Sequence, residues 1–266
     1  MLRDITLGQF FPGNTIIHRL DPRTKLALTL VYIVALFMLK SWSGYALMAA
    51  LLCAVVFVSK ISVRTLLRSL RAIAVVILIT ALLNVFLTSG TVILKVWILK
   101  ITREGLEIAG KMALRLIMLI CGTFLLTYTT SPLALTDGLE SVMSPLKKIR
   151  FPAHELAMMM SIALRFIPTL LEETDKIISA QKSRGADFET GGILKRARAM
   201  LPILVPLFIS AFRRAEELAE AMESRCYHGG EGRTRMKLLR MAARDGLALI
   251  LGGLTIAAVV FANKLP

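Results

Sequence analysis

The chain has 266 residues, of which 56% are hydrophobic and 19% charged, with a mean hydropathy of +0.68. A soluble domain carries about 45–50% apolar and about 25% charged residues, so this composition excludes one and describes a membrane protein. The 33 Lys and Arg against 18 Asp and Glu give +15. In a membrane chain that excess reads first as the positive-inside bias, and without aromatics interleaved for base stacking nucleic acid is not expected as a partner.

The first residues, MLRDITLGQFFPGN, contain no apolar core of a signal peptide, and no cleaved leader is expected. Asp21-Pro22-Arg23 reads as a turn that anchors the first span at the interface. Apolar runs follow at Leu26–Leu39, Gly44–Val58, Ala72–Thr88, Met112–Thr129 and, last, Leu247–Ala262. Each is a little shorter than the roughly 20 residues that cross a bilayer core, and flanking Lys and Arg extend them by snorkelling. Arg115, the only charge inside a run, is close enough to its end to do the same. The predicted architecture is therefore all-α, with about five transmembrane helices. Residues 40–43 allow only an antiparallel hairpin between the first two spans, and Val92–Ile101 is a further apolar stretch of ambiguous type.

Lys and Arg crowd the segment before the first span and the loop holding Lys60, Arg64, Arg68 and Arg71, which predicts a cytoplasmic N-terminus. The loop with Lys95, Lys100, Arg103 and Lys111 then falls outside, against the rule. Residues 145–245 hold 18 of the 33 Lys and Arg and 12 of the 18 Asp and Glu, yet they stay strongly patterned. Polar Ser161, Arg165, Thr169, Glu172, Lys176, Ser179 and Ser183 recur every three or four positions among apolar residues. That spacing predicts a long amphipathic helix, bent at Pro168. A second is predicted from about Pro206 to Arg225, with Phe208, Phe212, Ala215, Leu218, Ala219 and Met222 on its apolar stripe. Both are too polar to span and too apolar to stand in water, so they should lie along the membrane face or against protein. The expected organisation is residues 1–131 as a transmembrane region, 132–243 as a cytoplasmic coupling region and 244–266 as the last transmembrane helix.

The two amphipathic helices end alike. Ala180-Gln-Lys-Ser-Arg-Gly185 and Ala221-Met-Glu-Ser-Arg-Cys226 match at Ala, Ser and Arg, 41 residues apart. An Arg at a helix C-terminus is favoured by the dipole, and its fork can take a carboxylate bidentately. One copy reads as an ordinary helix stop. Two copies read as two equivalent plugs for two similar sockets.

These motifs, with His18-Arg-Leu-Asp-Pro-Arg-Thr-Lys25, Leu164-Arg-Phe-Ile-Pro168 and Gly229-Gly-Glu-Gly-Arg-Thr-Arg235, resemble the transmembrane T component of energy-coupling factor transporters over nearly the whole chain. Those are ABC importers for vitamins and metal ions. The family's motif is usually Ala-Arg-Gly; here Ser183 and Ser224 replace the Ala, and Cys226 replaces the second Gly. The resemblance implies that Ser183, Arg184, Gly185, Ser224, Arg225 and Cys226 dock on two ATP-binding-cassette ATPase subunits. It further implies that the two helices cross, and that ATP-driven motion passes through them to a substrate-binding S component in the cell membrane.

Other chemistries find little support. Gly229-Gly-Glu-Gly-Arg-Thr lacks the Lys-Ser/Thr of a phosphate loop and follows a helix, so ATP hydrolysis is expected in another chain. His18, His154 and His228 are scattered without ligand partners, Cys53, Cys121 and Cys226 make no disulfide framework, and no nucleophile elbow occurs. Neither catalytic nor metal-ligating residues are expected, and no cofactor. The spans lack Asp, Glu and His, which argues against an autonomous secondary transporter. Within the resembling family a T component dedicated to cobalt or nickel uptake remains an alternative. From another class, so does a membrane-embedded lipid-modifying enzyme whose basic face binds anionic head groups.

Overall fold

The computed structural model describes residues 10–96, 99–149, 151–188, 192–229 and 239–263. Its order is α1 (Pro22–Met38), α2 (Trp42–Ser59), α3 (Val63–Leu87), β1 (Val92–Val96), β2 (Leu99–Thr102), α4 (Arg103–Thr129), α5 (Pro132–Met143), a short 3-10 segment (Ser144–Ile149), α6 (Ala153–Ser183), α7 (Ile193–Glu223) and α8 (Ala243–Ala262). The described residues divide into two compact units: residues 10–141 with 239–263, and residues 142–229.

The first unit is a helical bundle that holds α2, α3, α4 and α8, four of the helices long and apolar enough to cross a membrane. Asp21 opens α1 as its N-cap, accepting from the Arg23 N–H at 2.9 Å, with Pro22 in the first helical position where no N–H is needed. The Asp-Pro pair is therefore a helix start. α1 and α2 are joined by only three residues, yet each packs chiefly on α4 and α8 rather than on the other. Ala35, Leu36, Leu39, Tyr45, Met48, Met118 and Val259 form the buried core there. Tyr32 of α1 donates to the Met118 carbonyl at 2.9 Å and its ring closes on Gly122, where any Cβ would collide with it.

Several elements refine the sequence reading. The apolar stretch whose type the sequence leaves open carries an antiparallel pair of strands, β1 with β2. Arg115 reaches the end of the neighbouring helix: its guanidinium donates to the Leu39 carbonyl at 2.9 Å, closing the C-terminal end of α1, and lies near Phe37 and Tyr45. α7 begins at Ile193, well before Pro206, with Pro202 and Pro206 inside it. Among the described residues five helices are long and apolar enough to cross a membrane: α2, α3, α4, α8 and, at the lowest mean hydropathy of 1.2, α6, which the sequence pattern marks as too polar to span. α1 has 17 residues, about 26 Å of helix, a little short of the roughly 30 Å hydrocarbon core.

At the N-terminal end of α1 the motif His18–Lys25 becomes a buried polar joint. Lys25 donates from Nζ to the carbonyls of Thr129 (2.8 Å), at the end of α4, and His18 (3.1 Å). Asp245 on α8 accepts the Asp21 N–H at 2.8 Å and the Ala242 N–H at 2.8 Å. His18 itself bonds Thr15 through Nδ1 and the Phe11 carbonyl through Nε2. Burial holds its pKa below the usual histidine value, with Lys25 pushing the same way against the Phe11 bond.

Candidate functional site

The second unit carries both Arg motifs. α6 and α7 have 31 residues each, about 46 Å of helix apiece. Prolines inside them remove backbone donors; Pro202 and Pro206 are exposed, so water can take the Arg198 carbonyl that Pro202 orphans, while the Pro202 carbonyl that Pro206 orphans is met from α6. The helices meet where Glu173 of α6 accepts from the Arg214 guanidinium at 2.7 Å and from the Ser210 hydroxyl. Those two bonds, Ser210 first, hold the Glu173 carboxyl below the usual carboxylate range, and Lys176 adds to the pull. A second, weaker tie runs from Gln181 to the Pro202 carbonyl at 3.4 Å.

Glu173 and Arg214 are 41 residues apart, the same offset that relates the two Arg motifs. Arg184 lies eleven residues beyond Glu173, and Arg225 eleven beyond Arg214, which is about 16 Å along each helix. The pair of helices is thus joined at equivalent positions and has two arms of equal length. Sequence reading found the arm tips but missed the joint, although the offset was its signal.

Both tips fold the same way. Gly185 N–H donates to Lys182 O at 3.0 Å and Ala186 N–H to Gln181 O at 3.0 Å, a Schellman cap with Gly185 at φ +85°. On α7, Cys226 N–H donates to Glu223 O at 2.8 Å and Tyr227 N–H to Met222 O at 3.0 Å, with Cys226 at φ +55°. The Cys therefore takes the left-handed turn that glycine makes in the first copy. A non-glycine residue there costs about 1–2 kcal/mol, and the two cap bonds, worth about 1 kcal/mol each, offset it. Ser183 and Ser224 turn their hydroxyls back onto the carbonyls of Ser179 and Ala221, at 3.1 Å in both cases. Arg184 and Arg225 are exposed, and neither guanidinium has a partner among the described residues. All six predicted residues are thus brought to two matching helix ends. Gly230–Arg235 of the last motif lies outside the described residues.

A free Arg beyond a rigid cap is a tethered bidentate donor, suited to a carboxylate or a phosphate on another molecule. Residues 13–236 match the family described as CbiQ, cobalt transport protein. The energy-coupling factor transporter transmembrane protein EcfT of Thermosediminibacter oceani is 57% identical over 253 residues, 95% of this chain and 96% of that one. Its counterpart in Clostridium kluyveri is 54% identical over 250 residues, covering 93% of each, and that of Listeria innocua 48% over 251 residues, covering 94% and 95%. The chain belongs to the EcfT family. It is a membrane component of an energy-coupling factor transporter, and the EcfT family is not a family of enzymes. The resemblance read from the short motifs thus extends over almost the full chain.

Proposed function

We propose that this EcfT-family chain couples two ATP-binding-cassette ATPases to a substrate-binding S component. Arg184 and Arg225 are the two plugs, and α6 and α7 are the arms that carry motion between the partners. The observation that carries the reading is the pair of superimposable caps, set at equal distance from the Glu173–Arg214 joint, each presenting an unpartnered Arg. Two equal plugs suit two like subunits, and approach of those subunits on binding ATP would work the joint like a pair of levers. The charge bias of the sequence supports an N-terminus and an α6–α7 pair on the cytoplasmic side, where ATP is available. The cargo under this reading is a vitamin or other micronutrient selected by the S component.

The decisive experiment is affinity purification of the tagged chain from its native host, wild type against Arg184→Ala/Arg225→Ala. Wild type should bring down ATP-binding-cassette subunits and at least one small membrane protein. Losing one desolvated charge partner costs about 2–5 kcal/mol, so each single variant should weaken ATPase retention at least about thirtyfold, and the double should abolish it. Full retention by the double variant would sink the two-plug reading. The matched family's description as a cobalt transport protein favours a second reading, a module dedicated to cobalt or nickel. One fixed small partner would support that version, and several exchangeable ones the shared form.

A further inference from the structure

Helix α3 carries a feature that the coupling role does not use. Its most apolar stretch has a mean hydropathy of 2.5, the highest of the five candidate spans, and none of that stretch is buried by protein. The rotation of the helix is set by its inward side, where Leu66 is buried and Ser69 hydrogen-bonds the Tyr128 hydroxyl of α4. Arg64, Arg68 and Arg71 then stand on the opposite side, all exposed. At 100° per residue they share one stripe with the exposed Val75, Leu78, Ile79 and Leu82. Lys60, also exposed, sits just before the helix.

Two observations say what covers this stripe. None of the four cations has a partner among the described residues, and the sequence from Pro22 to Arg103 contains no Asp or Glu to supply one. Among the described residues nothing supplies their counter-charge, which leaves these cations free to take one from another molecule. Below the cations the same stripe is wholly apolar, so that molecule carries an anionic head joined to a long hydrocarbon body. Arg64 to Arg71 covers about 10 Å of helix, a reach comparable to the depth of a headgroup region.

We propose that Arg64, Arg68 and Arg71, assisted by Lys60, form a binding site for an anionic phospholipid. Its phosphate sits among the guanidinium groups, and its acyl chains run along Val75, Leu78 and Leu82. Guanidinium forks match phosphate oxygens bidentately, and the apolar stripe keeps the lipid aligned with α3. The site is independent of the ATPase-docking reading, since it uses no residue of α6 or α7.

The test is native mass spectrometry of the full chain released from nanodiscs of equal parts dioleoyl-phosphatidylglycerol and dioleoyl-phosphatidylcholine. Wild type should retain phosphatidylglycerol preferentially. Each basic residue near an anionic surface is worth about fivefold in affinity, so Arg64→Gln/Arg68→Gln/Arg71→Gln should cut the preference by tenfold or more. Lys148→Gln/Arg198→Gln/Arg240→Gln, which removes the same charge elsewhere, should keep it. Excess inorganic phosphate should not displace the lipid, because it has nothing to lay along the apolar stripe. The proposal is overturned if the α3 variant retains the wild-type preference, if both variants lose it equally, or if free phosphate competes it away. It is likewise overturned if the α3 variant keeps the lipid but loses a membrane-protein partner, since the stripe would then be a protein interface.

Discussion

Single residues decide how the two arm tips are held. Gly185 sits at φ +85° with open space where a Cβ would go, so a side chain there meets no atom and the whole penalty is backbone. Gly185→Ala should cost about 1–2 kcal/mol locally, a factor of roughly 5–30 in the opening of the last turn of α6. Amide hydrogen exchange at Ala186, whose N–H closes the cap onto Gln181, would register that as faster exchange. Cys226→Gly is the mirror experiment. It removes the left-handed penalty while adding chain entropy to the unfolded state of about 0.5–1 kcal/mol, so protection at Tyr227 should hold or rise slightly. A fall in protection there would mean that the Cys226 side chain, not the turn, holds the end of α7. Arg184→Lys keeps the charge but loses the planar fork, and ATPase retention should resemble that of Arg184→Ala more than wild type.

At the scale of elements, the arms depend on one acidic side chain. The Glu173 carboxyl is held below its ordinary range by Ser210 and Arg214, so the folded pKa lies under the unfolded one. The α6–α7 joint is therefore fully made above the unfolded value and weakens as pH falls through the folded value. Spin labels on α6 and α7 should report an unchanged distance distribution down to the ordinary carboxylate range and a broader one only below it, and Glu173→Gln should remove that pH dependence. Arm length is testable in the same way. Four residues inserted between Leu218 and Ala219 add about 6 Å to one arm only, so retention should drop from two-point to one-point binding without loss of helix. How much of this could be read from sequence follows from period and distance. The repeat at Arg184 and Arg225, and the polar rows on α6 and the second half of α7, are local patterns and were legible. Residues 193–205 were not, because Pro202 and Pro206 argue for a break that an exposed face tolerates. Val92–Ile101 escaped because a short apolar run has no decisive period. The Glu173–Arg214 bond spans two helices, and only the shared offset of 41 could have suggested it.

At the scale of the whole molecule, the membrane bundle is interrupted in sequence and closed in space. Its first segment ends near Ser141 and its last begins near Leu238, so α8 must find α1 across more than two hundred residues. Loop closure over such a separation carries an entropy that the contacts formed must repay. Close packing of α1 on α8 supplies part of that, and Asp245 supplies direction. Its carboxylate, 2% exposed, ties the Asp21 N–H that opens α1 to the Ala242 N–H that opens α8. Hydrogen bonds to a charged group are worth about 1.5–3 kcal/mol, and their loss leaves two donors without an acceptor. Asp245→Ala should therefore destabilise the bundle by about 3 kcal/mol in a detergent thermal melt. That is a fall of several degrees in Tm for a chain of this size. Arg184→Ala/Arg225→Ala should leave the same melt unchanged, since neither guanidinium contacts a described residue. The two variants thus separate folding from assembly. If the double Arg variant also lowered Tm, its loss of ATPases would have to be assigned to unfolding; if Asp245→Ala melted like wild type, the polar joint would be an ornament of the fold rather than its clasp.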